Sequence, residues 1–354
     1  MLFRSESRSA ANKVLNIDLY LNKMASMDIK KLSRDDFIDV STWKKDESYE
    51  GVFPVGARPK SAIYCPTDID EIALVPGKKY LFKKSFERYP DQFWMERVAY
   101  IVGCFMGIEV PTTFVAYDSS ACESGALIEW FYDENHPDFR SYIDGTMLFV
   151  SLIEDFDTKT GKQHNLEMIT SISKALRSST EFFIESDFLT HFLRMMIFDS
   201  IIGNTDRHQE NWGLVLYNIG DNKRKVVFSP AFDNGTSLGH EIVQQKIGTF
   251  KNPQRMSSYL RKGKHHIRWN IKSPDRIGHF ELFESMKKSK EFVEIVMSML
   301  SFDFEELENE VRSLSSIDGV VPLSRDRVQF IMDLLRARVR HVMMLLGVSD
   351  EFNT

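Results

Sequence analysis

Between Gly203 and Gly213 the chain reads GNTDRHQENWG, crowding a carboxylate, a cation, an imidazole and a carboxamide into one polar turn. Asp206 and Asn211 stand five residues apart with Arg207 and His208 between them. Moving a phosphoryl group between oxygens asks little covalent work of a protein. It needs an aspartate aimed at the acceptor hydroxyl, hard oxygen ligands for Mg²⁺ and cations on the phosphates. Asp206 suits the first task and Asn211 the second. A second metal carboxylate is available in SPAFDNG, where Asp233 follows after a short hairpin. Each residue alone is an ordinary turn former. Their order carries the signal: apolar helix, D-x-x-x-x-N, hairpin, then Asp-Asn-Gly.

Such a loop has to be positioned by regular elements, and the texture of the chain predicts them. ESDFLTHFLRMMIFDSIIG reads as a strongly apolar helix stopped by Gly203. WGLVLYN and KRKVVFSPAF read as strands joined at IGDNK, a hairpin signal. Further on, helices are predicted near 280–300, 303–314 and 324–346, the last entered at Ser324 and ended at Gly347. Upstream, from Gly51 to Tyr117, the pieces are short and β-rich: SAIYC, KKYLFKKSF and TTFVAYD. Between them a helix from Pro90 to Gly107 aligns Trp94, Val98, Ile101 and Phe105 in an apolar stripe. GALIEWFYDEN adds one more strand. The expected fold is α+β and bilobal, with a small β-rich N-lobe and a larger helical C-lobe. The expected boundaries are a lead-in segment at 1–50, the N-lobe at 51–132 and the C-lobe at 133–354.

Upstream, a glycine loop, a strand lysine and a helix glutamate follow one another in an order that would suit gripping nucleotide phosphates. In YLFKKSF, Leu81 and Lys83 point to one face of a strand, so Lys83 projects into the cleft and Lys84 toward solvent. Glu96, thirteen residues later, lies on the N-lobe helix, where it can pair with Lys83 and hold it against phosphates. GARPKSA supplies Gly56, which lets backbone N–H groups approach phosphate. Lys60 reads equally as a phosphate contact or a solvated charge.

FDSIIGNTDRHQENWGLVLYN…FSPAFDNGTSL closely resembles the C-terminal core of HipA-like kinases, a bacterial branch of the protein-kinase-like superfamily. It is also similar to the corresponding segment of type II phosphatidylinositol 4-kinases. The resemblance extends to ERVAYIVGCFMGIEVP and to GARPKSA, whose Gly56, Ala57, Lys60 and Ser61 match that family's Gly-Ala-x-x-Lys-[Ser/Thr] phosphate loop. It implies that Asp206 is the catalytic base and that Asn211 and Asp233 hold Mg²⁺ beside ATP. His208 then organises the loop or faces phosphate, or is simply bonded to nearby backbone. Leu127 to Phe131, with Glu129, Trp130 and Phe131, falls at the interlobe hinge whose backbone would bind adenine. Two departures stand out. Fifty leading residues are too few for the extra N-terminal subdomain of full-length HipA toxins. Phe53 occupies the place where such toxins can carry an autophosphorylated serine.

Bulk properties bound the remaining readings. The chain has 354 residues, a net charge of −6 and 43% hydrophobic residues, which excludes a surface devoted wholly to nucleic acid. Cys65, Cys104 and Cys122 lack metal-ligand spacing and read as reduced thiols. Neither an apolar core of signal-peptide length near the start nor a run of about 18 apolar residues is present. A cytoplasmic protein is expected, with export as an effector the alternative. From Ile242 to Pro274 eight lysines and arginines occur without an acidic residue. That stretch is a solvated face or a docking surface for an acidic protein substrate; RNA or anionic lipid is a weaker reading. Ser257 and Ser258 within it are candidate self-phosphorylation sites. The leading expectation is an ATP- and Mg²⁺-dependent kinase acting on Ser or Thr of a protein. A phosphoinositide kinase, a small-molecule kinase and a non-catalytic nucleotide-binding scaffold are the alternatives.

Overall fold

The structure is a computed structural model that describes residues 28–33, 36–49, 58–157, 161–184 and 187–348. The smaller lobe is a six-stranded sheet ordered β1-β5-β6-β4-β3-β2. Its strands are β1 (Ile38–Asp39), β2 (Lys44–Lys45), β3 (Lys60–Tyr64), β4 (Lys79–Lys84), β5 (Thr113–Asp118) and β6 (Glu123–Glu129). The sheet begins ahead of Gly51, because β1 runs parallel to β5 and β2 antiparallel to β3. Its central strands alternate between two apolar layers, as a sheet covered on both sides must. Tyr80, Phe82, Phe114, Ala116 and Leu127 pack outward with Trp43 and Ile63. Val115, Ala126 and Ile128 pack inward against helix α1 (Phe93–Phe105), with Leu81 at the edge of that layer. Lys83 shares the parity of Leu81, so the pleat turns it toward α1.

The larger lobe contains helices α2 (Gly145–Leu152), α3 (Leu166–Ser178), α4 (Phe188–Ile202), α5 (Pro253–Leu260), α6 (His279–Met286), α7 (Lys290–Met299), α8 (Phe304–Ser313) and α9 (Arg325–Leu346). A second sheet, ordered β7-β9-β10-β8, comprises β7 (Phe139–Asp144), β8 (Phe182–Ile184), β9 (Gly213–Asn218) and β10 (Arg224–Phe228). The hairpin predicted at IGDNK joins β9 to β10, while β8 adds a parallel edge that no local pattern announced. Helix α4 is buried on nearly every side, which explains its near-continuous apolar sequence. Asp187 caps its start through the Thr190 amide, and Gly203, with φ of +72°, ends it in the left-handed conformation. The single helix expected near 280–300 is two. Ser289 accepts a hydrogen bond from the Phe292 amide and starts α7 anew, so a local cap outcompetes helix continuation.

One apolar core runs from α1 through α4 to α9 and joins the lobes, so the cleft has a common floor. Cys65, Cys104 and Cys122 are free thiols. Among the described residues no helix is long and apolar enough to cross a membrane.

Candidate active site

The sheet pleat delivers Lys83 to Glu96 at the interlobe boundary. Lys83 Nζ lies 3.0 Å from Glu96 Oε1 and 2.6 Å from Asp233 Oδ1. The Lys83 and Glu96 side chains are each only 3% exposed, whereas Asp233 keeps 25% and so opens toward the cleft. The other oxygen of Glu96 accepts the Asn234 amide at 2.8 Å, tying α1 to the turn that carries Asp233. Burial works against ionising both carboxyls, but Lys83 and Arg58 beside them overcome it and hold both below the usual carboxylate range. Lys84 is not merely solvated: it pairs with Glu123 across the sheet.

Arg58, which no motif marks, is the fourth charged group of this cluster. Its Nη2 is 2.7 Å from Glu96 and 3.1 Å from Asp233, and its side chain is 5% exposed. Lys60 lies opposite Lys83 in the β3–β4 register. Burial, and then the neighbouring charge of Lys83, lower the pKa of Lys60, so it belongs to the same cation cluster rather than to open solvent. Ser61 follows on β3, opposite Phe82. Gly56 and Ala57 lie outside the described residues, as does Phe53.

The loop after α4 is built on a buried ion pair. Asp199, fully buried, receives Arg207 Nε at 3.1 Å and Nη2 at 2.9 Å. The same guanidinium donates to the Asn211 carbonyl at 3.2 Å, to Asn234 Oδ1 at 2.6 Å and to the Phe232 carbonyl. One side chain therefore grips the Asp206–Asn211 loop and the Asp233 turn together. Asp233 itself is held at φ of +58°, a conformation a non-glycine residue keeps only when its surroundings enforce it. Asn204 Oδ1 accepts the Asp206 amide at 3.0 Å, and Asn211 Nδ2 donates to the Asp206 carbonyl at 2.8 Å, closing the turn. Burial raises the Asp206 carboxyl above its ordinary pKa; His208 opposes this and Asp233 adds to it. His208 takes the backbone-bonded form, its Nδ1 accepting the Glu210 amide at 3.3 Å at the start of the Gln209–Asn211 turn. A sequence signal for Asp199 did exist: a lone carboxylate in an otherwise apolar, buried helix requires a cation.

Of the residues expected at the hinge, Glu129 ends β6 and Trp130 and Phe131 follow it. The Glu129 carboxylate is bound by Lys78 and lies 3.6 Å from Lys30. The Trp130 amide donates to the Lys79 carbonyl at 3.1 Å, so that donor is spent inside the chain. Phe131 stacks on Phe232, one residue before Asp233, with ring centroids 5.2 Å apart.

Residues 53–301 match the family model of the HipA-like C-terminal domain. The chain belongs to that family. It is thus a HipA-like domain of the protein-kinase-like superfamily, with a β-sheet N-terminal lobe and a helix-rich C-terminal lobe. Among solved structures it is similar to a Helicobacter pylori proinflammatory kinase, CtkA. That match has 16% identity over 90% of this chain and 100% of the other, with a TM-score of 0.64. HipA of a Shewanella oneidensis MR-1 toxin–antitoxin system aligns at 10% identity over 89% of this chain and 74% of its own, with a TM-score of 0.48. No curated protein sequence matches. At 16% identity the CtkA match speaks for the fold alone.

Three buried histidines brace the HipA-like loop from below. Trp212 Nε1 donates to His164 Nε2 at 3.2 Å, His265 Nε2 meets Ser200 Oγ at 3.0 Å, and His279 Nε2 meets the Asn204 carbonyl at 2.9 Å. Burial drives the pKa of His164 and of His265 down to about 3, and lowers His279 strongly. The folded state therefore keeps them neutral while the unfolded chain protonates near pH 6.5. Stability conferred by each is complete above that pH and is lost as pH falls toward the folded value. Denaturant melts are expected to show greater stability at pH 7.5 than at 5.5, by roughly 1 kcal/mol for each of His164 and His265. Replacing His164 by glutamine should remove its share of the difference; an unchanged pH slope would refute the neutral assignment.

Proposed function

We propose that this HipA-like domain is an ATP- and Mg²⁺-dependent kinase that transfers the γ-phosphate to Ser or Thr of a protein. The observation that carries the reading is the convergence of Lys83, Glu96 and Asp233 next to a loop whose Asp206 and Asn211 are locked to Asp233 through Arg207. Asp206 orients the acceptor hydroxyl and takes its proton as the new P–O bond forms and the bond to the β-phosphate oxygen breaks. Lys83, positioned by Glu96, binds the nucleotide phosphates. Lys60, Ser61 and the Gly56–Ala57 backbone form the phosphate loop, and the Glu129–Phe131 hinge borders the adenine.

The donor set fits magnesium. Among the described residues no group of three or more His, Cys, Asp or Glu side chains could hold a metal alone. Asn211 and Asp233 instead offer a carboxamide and a carboxylate, the two hard oxygen ligands that leave the other positions to phosphate and water. Asn211 commits Nδ2 to the Asp206 carbonyl, which leaves Oδ1 to serve as the ligand. Mg²⁺ bound there would neutralise charge on the transferring phosphoryl group.

Incubation with radiolabelled ATP, Mg²⁺, protein acceptors and phosphoinositide vesicles tests the proposal. Wild type is expected to label protein and Asp206→Ala to lose at least about a hundredfold in rate. Label on lipid alone overturns the acceptor class. Nucleotide binding with no transfer to any acceptor makes the chain a scaffold.

A further inference from the structure

The loop from Gly263 to Gly278 is latched beneath the proposed catalytic loop. His265 donates its amide to the Ile277 carbonyl at 2.8 Å, and the Ile277 amide to Ile267 at 2.9 Å, which folds the segment back on itself. The Arg268 carbonyl accepts the Leu166 amide at 2.9 Å at the start of α3. His164, whose Nε2 is taken by Trp212, donates Nδ1–H to the His266 carbonyl at 3.0 Å. Because Trp212 directly follows Asn211, the segment is in fixed register with the proposed metal and base residues.

This frame gathers positive charge on the acceptor side. Arg276 Nη2 donates to His266 Nε2 at 2.6 Å, and the His266 ring lies 5.9 Å from that of His208. Arg276 also feels both Arg268 and Asp206. Burial and the Arg276 charge push His266 down to about 4, so it accepts as a neutral ring. Among the described residues neither Arg268 nor Arg276 has a carboxylate within ion-pair distance, and their neighbour Asp275 is engaged by Lys264 at 3.3 Å. Asp144 and Glu210 also face His208 closely enough for Asp144 to feel both charges. Two unneutralised guanidiniums held near each other repel, and that repulsion is relieved when an anion binds between them.

The geometry points to an acceptor-recognition site in which Arg268 and Arg276, lined by His208 and His266, bind the carboxylate of an acidic residue near the Ser or Thr to be phosphorylated. The site rests on the kinase reading and names its substrate class: acidic peptide segments. Of the eight cations between Ile242 and Pro274, Arg268 is the one that joins it. Lys264 and Lys272 are exposed elsewhere on the loop, Lys262 is exposed just before it, and Arg255 lies over the Phe250 ring. A planar fork on a carboxylate gives specificity through bidentate geometry, which a flexible lysine does not reproduce.

Serine peptides flanked by glutamate, glutamine or lysine provide the test, with rates and the binding of an alanine-acceptor glutamate peptide measured at low and high salt. Wild type is expected to favour the glutamate peptide by about tenfold or more in kcat/KM, with binding that weakens as salt rises. Arg268→Gln and Arg276→Gln should each raise KM for it about tenfold with kcat changed less than about twofold. Lysine at either position should recover part of the loss, and Lys272→Gln should keep the wild-type KM. The double charge reversal, Arg268→Glu with Arg276→Glu, should transfer preference to the lysine peptide. Equal use of the peptides by wild type, or a preference that survives the reversal, overturns the site. If wild type hydrolyses Mg–ATP or labels itself yet shows neither preference, this inference fails and the kinase reading stands. If no turnover occurs at all, the kinase reading fails, and the alanine-peptide binding still decides whether the anion site exists.

Discussion

Asp233→Asn is expected to lower phosphoryl transfer by at least about a thousandfold, because it removes the proposed metal carboxylate and an anion facing Lys83 and Arg58. Nucleotide binding should fall much less, since Lys83, Lys60 and the phosphate loop remain. The substitution also leaves two buried cations against Glu96 alone. Without nucleotide the variant should lose about 1–3 kcal/mol, a value discounted because Asp233 is 25% exposed. Single-turnover kinetics over a Mg²⁺ series, with denaturant melts alongside, separate the two effects. Activity within tenfold of wild type would show that Asp233 does not hold the metal.

Arg207→Ala carries the largest expected stability cost. It strands Asp199, whose carboxylate is fully buried, and frees the Asn211, Phe232 and Asn234 oxygens that the guanidinium gathers. Breaking such a pair costs about 3–5 kcal/mol. Arg207→Lys keeps the charge but cannot span these acceptors, so activity should remain low while stability partly recovers. Combining Asp199→Leu with Arg207→Met should restore stability relative to Arg207→Ala, because no unpaired buried charge is left, and should not restore activity. Equilibrium denaturation of wild type, Asp199→Leu, Arg207→Met and the double variant forms a double-mutant cycle. Strict additivity would refute the pairing, and recovered activity in the double variant would refute the positioning role.

The elements that local physics governs were legible in the chain. The alternation of β4 puts Lys83 on the same side as Leu81, and the apolar stripe of α1 leaves Glu96 to meet it thirteen residues on. The IGDNK hairpin, the Ser324 and Gly347 ends of α9 and the stop at Gly203 follow from turn and cap chemistry within a few residues. At Ser289 two local rules compete, and the cap divides a helix that the apolar pattern alone would continue.

What tertiary structure alone decided is the pairing of buried charge. Arg58 reaches Glu96 and Asp233 across 38 and 175 residues of chain. The Gly263–Gly278 loop is brought against the Asp206 turn by His164, His265 and His279, residues that look unremarkable in sequence. Spacing along a chain reports hydrogen bonds and side-chain periods that repeat every two to four residues. A charge removed from water, by contrast, must find its partner wherever packing brings one, and distance along the chain leaves no trace of that choice.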